Sequence, residues 1–178
     1  MFTKNMFAWL ISKGTADRNI GFTVMDANGM KQRFQSNKKS VDICSFGVNL
    51  HNLVTAANGS CVMIGTGRSA PTREDYKLES PVTSGITITN GSFSVAEADE
   101  ERLLLAANYT VRNDGTEELV ISEIGAFSQV EAYPVSGSTT TITAAAVLME
   151  RTVFDAPVTI PPGESRMIQY AVRITGIV

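Results

Sequence analysis

The last third of this chain is punctuated by turn chemistry. Asn113-Asp114-Gly115 and Pro161-Pro162-Gly163 interrupt runs in which apolar and polar residues alternate. In the tail Met167–Val178, Ile168, Tyr170, Val172 and Ile174 fall on one face. A two-residue period places alternate side chains on opposite faces of a strand, and Gly- and Pro-centred clusters reverse the chain between such runs. The C-terminal region is therefore restricted to antiparallel strands joined by tight turns. That specifies an architecture and no reaction.

The same signals recur upstream. Leu105, Ala107, Tyr109 and Val111 alternate with Ala106, Asn108, Thr110 and Arg112, which predicts a half-buried strand. Asn90-Gly91 reads as a two-residue hairpin turn pairing Ile88 with Phe93 and Ile86 with Val95. Glu97 to Glu101 reads as an acidic loop. Leu119 to Phe127 is a predicted strand whose apolar period slips between Ile121 and Ile124, as a bulge makes it do. Thr139 to Phe154 is long and rich in Thr and Val. Val158–Ile160 and Arg166–Ile174 are expected to form a final hairpin around Pro161-Pro162-Gly163, after a loop at Ala132–Ser138. Near the start, Asp26-Ala27-Asn28-Gly29 lies between Gly21–Val24 and Lys31–Phe34 as a hairpin signal, and Cys61–Ile64 reads as a short buried strand. Ile43, Phe46, Leu50, Leu53 and Val54 recur at helical spacing, with a strand pair as the competing reading. About seven strands after Cys61 suit a mainly β fold, an antiparallel β-sandwich of immunoglobulin-like or jelly-roll type. The expected division is an N-terminal arm and hairpin region over 1–60 and a sandwich over 61–178. The arm is a short helix from Lys4 to Ser12, capped by Thr3 and ended by Gly14.

Composition narrows the function classes. A chain of 178 residues with 43% hydrophobic and 19% charged residues is that of an ordinary globule able to bury its own core. It contains no apolar run long enough to span a bilayer as a helix. Its apolar opening, Met6 to Ile11, is short for a signal peptide and has no small-residue cleavage site after it, so synthesis in the cytoplasm is expected. Residues 1–60 hold seven Lys/Arg against three Asp/Glu, and the remainder eight against fifteen. Such asymmetry suggests a basic end meeting an acidic partner, or chance placement on solvated faces. The set Lys31, Arg33, Lys38, Lys39 is too small, in a chain of net charge −3, to argue for specific nucleic-acid binding.

Motifs that carry chemistry are weak here. Gly65-Thr66-Gly67-Arg68-Ser69-Ala70 matches a loose dinucleotide pattern, but that pattern needs a helix and a parallel βαβ unit after it, and hairpins follow instead. His51 is the only histidine, with no nucleophile motif nearby, and with Cys44 and Cys61 it makes no metal-type cluster. Two reduced thiols are the expected state of those cysteines. Glu97, Asp99, Glu100 and Glu101 are expected to be solvated rather than to hold Ca²⁺, and nothing in the spacing of Glu74, Asp75 and Glu79 supports a glycosidase pair. Trp9, Tyr76, Tyr109, Tyr133 and Tyr170 are too scattered to declare a sugar platform. No catalytic, cofactor or metal residue is assigned, and the chain is not expected to be an enzyme.

Several segments together resemble a family of small virion proteins of tailed bacteriophages and prophages. They are Thr3-Lys4-Asn5 before an apolar stretch, and Ile64-Gly65-Thr66-Gly67 with Ala70-Pro71-Thr72-Arg73-Glu74-Asp75-Tyr76-Lys77-Leu78-Glu79-Ser80-Pro81-Val82. Glu123-Ile124-Gly125-Ala126-Phe127, Leu148-Met149-Glu150-Arg151-Thr152-Val153-Phe154 and Val158 to Tyr170 complete the set. The resemblance implies a structural part of the virion, made in the host cytoplasm, without cofactor or catalysis and outside any membrane. A capsid-associated decoration or head-fibre role is favoured over the neck or tail, with a carbohydrate- or host-surface-binding module as the other reading. The expected partners are other virion proteins (capsid, portal or tail) and further copies of the chain. The long segment Gly65–Pro81, which has no apolar period, is expected to be extended and pinned to a partner. The expected contact residues are Phe2, Met6, Trp9 and Leu10 in the arm and Arg68, Arg73, Tyr76 and Leu78 in that segment. Removing residues 4–11 is expected to leave a folded chain that does not assemble.

Overall fold

A computed structural model describes residues 1–8, 21–35, 62–99, 102–134 and 143–175. Among the described residues the protein is mainly antiparallel β, with one helical turn over residues 4–8 and eight strands. These are β1 (Gly21–Met25), β2 (Lys31–Gln35), β3 (Val62–Gly65), β4 (Ile86–Asp99), β5 (Arg102–Asn113), β6 (Leu119–Pro134), β7 (Thr143–Ile160) and β8 (Ser165–Thr175). They form three sheets: β1 and β2 with the end of β6, β3 with the middle of β6, and β4-β5-β8. Strand β7 pairs with β6.

The chain does not divide at residue 60. It forms two compact units, the first from Met1–Val82 and Ile121–Val158, the second from Thr83–Val120 and Thr159–Val178. Strand partnership explains the difference. The N-terminal hairpin and β3 both pair with β6, which recruits them into one unit across about a hundred residues of sequence.

In unit 1, β6 is buried on both faces from Ile121 to Phe127. The apolar slip at Ile121–Ile124 thus falls in a stretch with no solvent-facing side. The β3–β6 register runs without a break from Val62↔Ala126 to Gly65↔Glu123. A strand covered on both sides loses its alternation because neither face must be polar. The β1–β2 hairpin forms where expected. Asp26 Oδ1 accepts from the backbone N–H of Asn28 and of Met30, both at 2.9 Å. This is the local side-chain-to-backbone bonding that makes Asp a turn residue.

In unit 2, the predicted alternation of β5 and β8 holds wherever side chains are described. Tyr109, Val111, Ile168 and Tyr170 are buried, while Thr110, Arg112, Met167 and Gln169 are exposed. Two pairings differ from expectation. Asn90-Gly91 is not a hairpin turn, because β4 continues through it and pairs with β5 on both sides. Asn90 opposes Tyr109 and Phe93 opposes Ala107, so two residues on β4 face one on β5. That two-against-one count defines a β-bulge, and a flexible Asn-Gly serves a bulge as well as a turn. The reversal comes at the acidic stretch instead, where Asp99 pairs with Arg102. The Pro161-Pro162-Gly163 turn is present, with Glu164 N–H donating to Pro161 O at 3.1 Å and Gly163 at φ +76°. That positive φ is the conformation a Pro-Gly turn assigns to glycine. However, β8 leaves the turn to pair with β5 along Arg102–Arg112, rather than completing a hairpin ladder with the preceding strand.

Candidate functional site: an arginine-clasped loop

Residues 65–82 form a closed loop rather than an extended strap. An isolated bridge joins Gly65 to Pro81, Thr66 N–H donates to Ser80 O and Val82 N–H to Ile64 O, both at 2.9 Å. A loop of this length with adjoining ends is an Ω-loop, held by its own side chains. Leu78 is the apolar anchor, buried with Phe127 of β6 and Leu148 of β7. One apolar residue fixes the loop, which is why no period was visible.

The polar anchor is a buried ion pair between neighbouring strands. Glu123 on β6 is 0% exposed and Arg151 on β7 is 2% exposed. Arg151 Nε donates to Glu123 Oε2 at 2.8 Å, and Arg151 Nη1 donates to Asp75 Oδ2 at 2.8 Å. Arg151 Nη2 reaches Ser69 O at 3.2 Å and lies 3.6 Å from Glu79 Oε2. The carboxylate of Glu123 also accepts backbone N–H groups from Gly67 (3.2 Å), Ser80 (2.8 Å) and Glu79 (3.2 Å). A buried charge persists only when paired and hydrogen-bonded, and both are here. The loop's backbone supplies the remaining donors to Glu123, so the loop and the pair complete each other.

The glycines of the loose dinucleotide pattern serve this contact. A Cβ at either Gly65 or Gly67 would sit 2.5 Å from Glu123 Oε1. The pattern reflects close approach of backbone to carboxylate, and no helix follows it. Glu79 Oε2 accepts from Arg68 N–H at 2.7 Å and Ser69 N–H at 2.8 Å, while Asp75 Oδ2 accepts from Thr72 N–H at 3.0 Å.

Electrostatics follow the geometry. Partial burial pushes the Asp75 carboxyl up, but hydrogen bonds from Arg151 and Thr72 outweigh it and hold Asp75 below the usual carboxylate range. Bonds from Ser69 lower Glu79 as well, with smaller help from Arg68 N–H and the Arg151 charge against some desolvation. Burial opposes the charge of Arg151, yet its bonds to Asp75 and Glu123 raise it above its ordinary value. Asp75 and Glu79 are thus ionised acceptors at neutral pH, whereas a general acid needs a raised carboxyl. Glu74 is drawn away to a surface ion pair with Lys4. The arrangement is chemically a clasp.

The two stretches singled out in the sequence meet on unit 1. Lys4 N–H donates to Arg73 O at 2.9 Å, and the Arg73 guanidinium lies 5.7 Å from the centroid of the exposed Phe7 ring. Phe2 bridges to Glu150, and Met6 is buried. Arg68 and Arg73 are exposed, and Tyr76 is half-buried against the β1–β2 turn, where a Cβ at Gly29 would lie 3.2 Å from its ring. Leu78 is spent on the core of its own unit and offers no outward surface. The ties that hold the loop are intramolecular, which replaces the expected extended segment pinned by a partner. Trp9 and Leu10 lie outside the described residues, as do Cys44, Cys61, His51 and the helical-spacing set from Ile43 to Val54.

Thr3 and Asn5 have roles that sequence reasoning missed. Thr3 Oγ1 donates to Leu148 O at 2.6 Å, and its N–H donates to Met149 O at 3.0 Å. Asn5 Nδ2 donates to Met25 O and Oδ1 accepts from Met25 N–H, both at 2.8 Å, with a further bond from Nδ2 to Leu148 O at 3.2 Å. Its amide behaves as a piece of strand between β1 and β7. Glu123 and Arg151 were also missed. The available signal was a lone Glu inside one apolar strand segment and an Arg, next to Glu150, inside another.

Among the described residues no group of three or more His, Cys, Asp or Glu is placed to hold a metal ion. No helix among them is long and apolar enough to cross a membrane. No protein-family model matches the chain, and comparison with curated proteins and with solved structures finds no match.

Proposed function

We propose that this chain is a structural component of a tailed-bacteriophage particle. It acts through protein–protein contacts as repeated copies on the capsid, in a decoration or head-fibre role, after synthesis in the host cytoplasm. The same reading takes the fold as a variant of the immunoglobulin-like or jelly-roll sandwich. One observation carries it. Four of the segments that resemble phage virion proteins, those around Thr3–Asn5, 64–82, 123–127 and 148–154, are far apart in sequence yet meet in one interlock of unit 1, while Val158 to Tyr170 lies almost wholly in unit 2. Thr3 and Asn5 bind β7, the 65–82 loop closes over Glu123, and Arg151 ties β7 to that loop. A chance likeness of scattered words has no reason to assemble in space. A clasped loop whose Asp75 and Glu79 carboxylates accept hydrogen bonds from the loop itself also suits a part whose work is to hold shape. The exposed Phe7, Arg73 and Arg68 beside it supply an amphipathic face for neighbours.

The test is direct. Particles from the strain carrying this sequence are banded on a density gradient and probed with antibody raised against the purified protein. The protein is expected to co-band with intact particles, and immunogold is expected on the head. Label confined to the neck or tail reassigns the part. Protein found only in the soluble fraction overturns the proposal.

A further inference from the structure

The N-terminal segment is held almost wholly by groups remote in sequence. The Thr3 N–H donates to Met149 O, Arg151 N–H donates to Met1 O at 3.1 Å, and Lys4 N–H donates to Arg73 O. Asn5 closes both ends of its amide on Met25 and Leu148, and Met6 is buried beside them. These contacts line a slot between β1 and β7 that reads Thr-x-Asn by hydrogen bonds and adds a single antiparallel bridge at Phe2↔Glu150. Adding an edge strand through main-chain bonds is a general mode of peptide capture. An empty slot would leave the Met25 N–H and the Leu148 carbonyl without these partners, so the slot demands an occupant.

We infer that this slot also accepts the Met1–Ala8 segment of a second copy of the chain. The contacts made by the arm would be identical in the two arrangements. Their difference is then the connection, the twelve residues 9–20 between the arm and β1. A chain of that length spans at most ~40 Å, which limits how far away a neighbour's slot can lie. Exchange of an identical element costs only the effective concentration of the tethered arm, and copies packed side by side recover it. The inference needs only a second copy and stands apart from the assignment to a phage particle.

Trans cross-linking of full-length chains tests it. Copies carrying Phe2→Cys are mixed with copies carrying Glu150→Cys, oxidised mildly, and the 2–150 linkage is identified by peptide mass. A linked pair of chains is expected, with a yield that rises with protein concentration. A chain carrying both substitutions is expected to close the same linkage internally at high dilution. Adding Asn5→Ala to the arm-bearing copy is expected to lower the trans yield roughly fivefold or more, since its loss removes the bonds that register the arm. If the doubly substituted chain links internally but the mixture gives no 2–150 product at any concentration, the inference fails. It also fails if Asn5→Ala leaves the trans yield unchanged. The exposed pair Lys4→Cys with Arg73→Cys provides the same readout should the substitution at Glu150 impair folding.

Discussion

Unit 1 and unit 2 each bury a polar side chain at the foot of a loop, and the two differ in charge. In unit 1 the pair is Glu123 and Arg151, deep and 2.8 Å apart. In unit 2 it is Asn113, 2% exposed. Asn113 Nδ2 donates to Glu117 O at 2.8 Å and Ile160 O at 2.9 Å, and its Oδ1 accepts from Gly115 N–H at 3.0 Å. Its backbone N–H donates to Glu164 O, and its carbonyl accepts from Gly163 N–H. A neutral amide can satisfy two passing carbonyls and one N–H without bringing a counter-ion. A carboxylate must bring one, and in unit 1 the arginine that answers it also reaches the loop's own acids. The charged solution gathers more segments, and it is more easily broken from one end.

The largest effect is expected from Glu123→Ala, which strands the Arg151 charge and the loop N–H groups together. Unit 1 is expected to lose about 3–5 kcal/mol, the usual cost of removing one partner of a buried pair. Amide exchange read separately in the two units checks it. Loosening confined to unit 1 sharpens the contrast, and equal loosening of the β5–β8 amides would break it. Asn113→Ala comes next, at about 2–3 kcal/mol for orphaned carbonyls with no stranded charge. Its signature is lost protection at Gly115 and Gly163 while Gly67 and Ser80 stay protected.

Acid gives the smallest effect. Asp75 titrates below its ordinary value when folded, so it contributes stability fully present above the usual carboxyl range and lost as pH falls through the lowered value. Glu79 acts in the same direction, weakened by its exposure. Amide resonances of Ser69 and Thr72 are expected to move as pH drops below about 4. Asn113 carries no proton to gain, so the Gly163 amide is expected to hold its position over that range. Movement of both together would erase the distinction.

What could be read in advance follows from how local each signal is. The Asp26–Gly29 turn, the Pro161-Pro162-Gly163 turn and the alternation around Tyr109 and Ile168 depend on near neighbours, and they emerged. Asn90-Gly91 did not, because a bulge and a hairpin use the same dipeptide. Only the distant partner, here β5, decides between them. β6 was seen as a strand, but its choice of β2 and β3 as partners, and hence the division of the chain, is non-local. The loop over 65–82 was noticed for its length and composition, and Leu78 and Tyr76 were picked out of it. Its true fastening lay in Glu123 and Arg151, whose meeting depends on which strands lie side by side.

The register of β3 against β6 sets Gly65 opposite Glu123. Sliding β6 by a single residue would bring Ser122 or Ile124 to that station and carry the carboxylate to the opposite, equally dry side of the strand, away from its cation. Because β6 is apolar nearly throughout this stretch, hydrophobicity alone would tolerate the slip. The acid thus works as a locating peg: the native alignment alone sets it against its cation, and a shifted one would carry an unanswered charge.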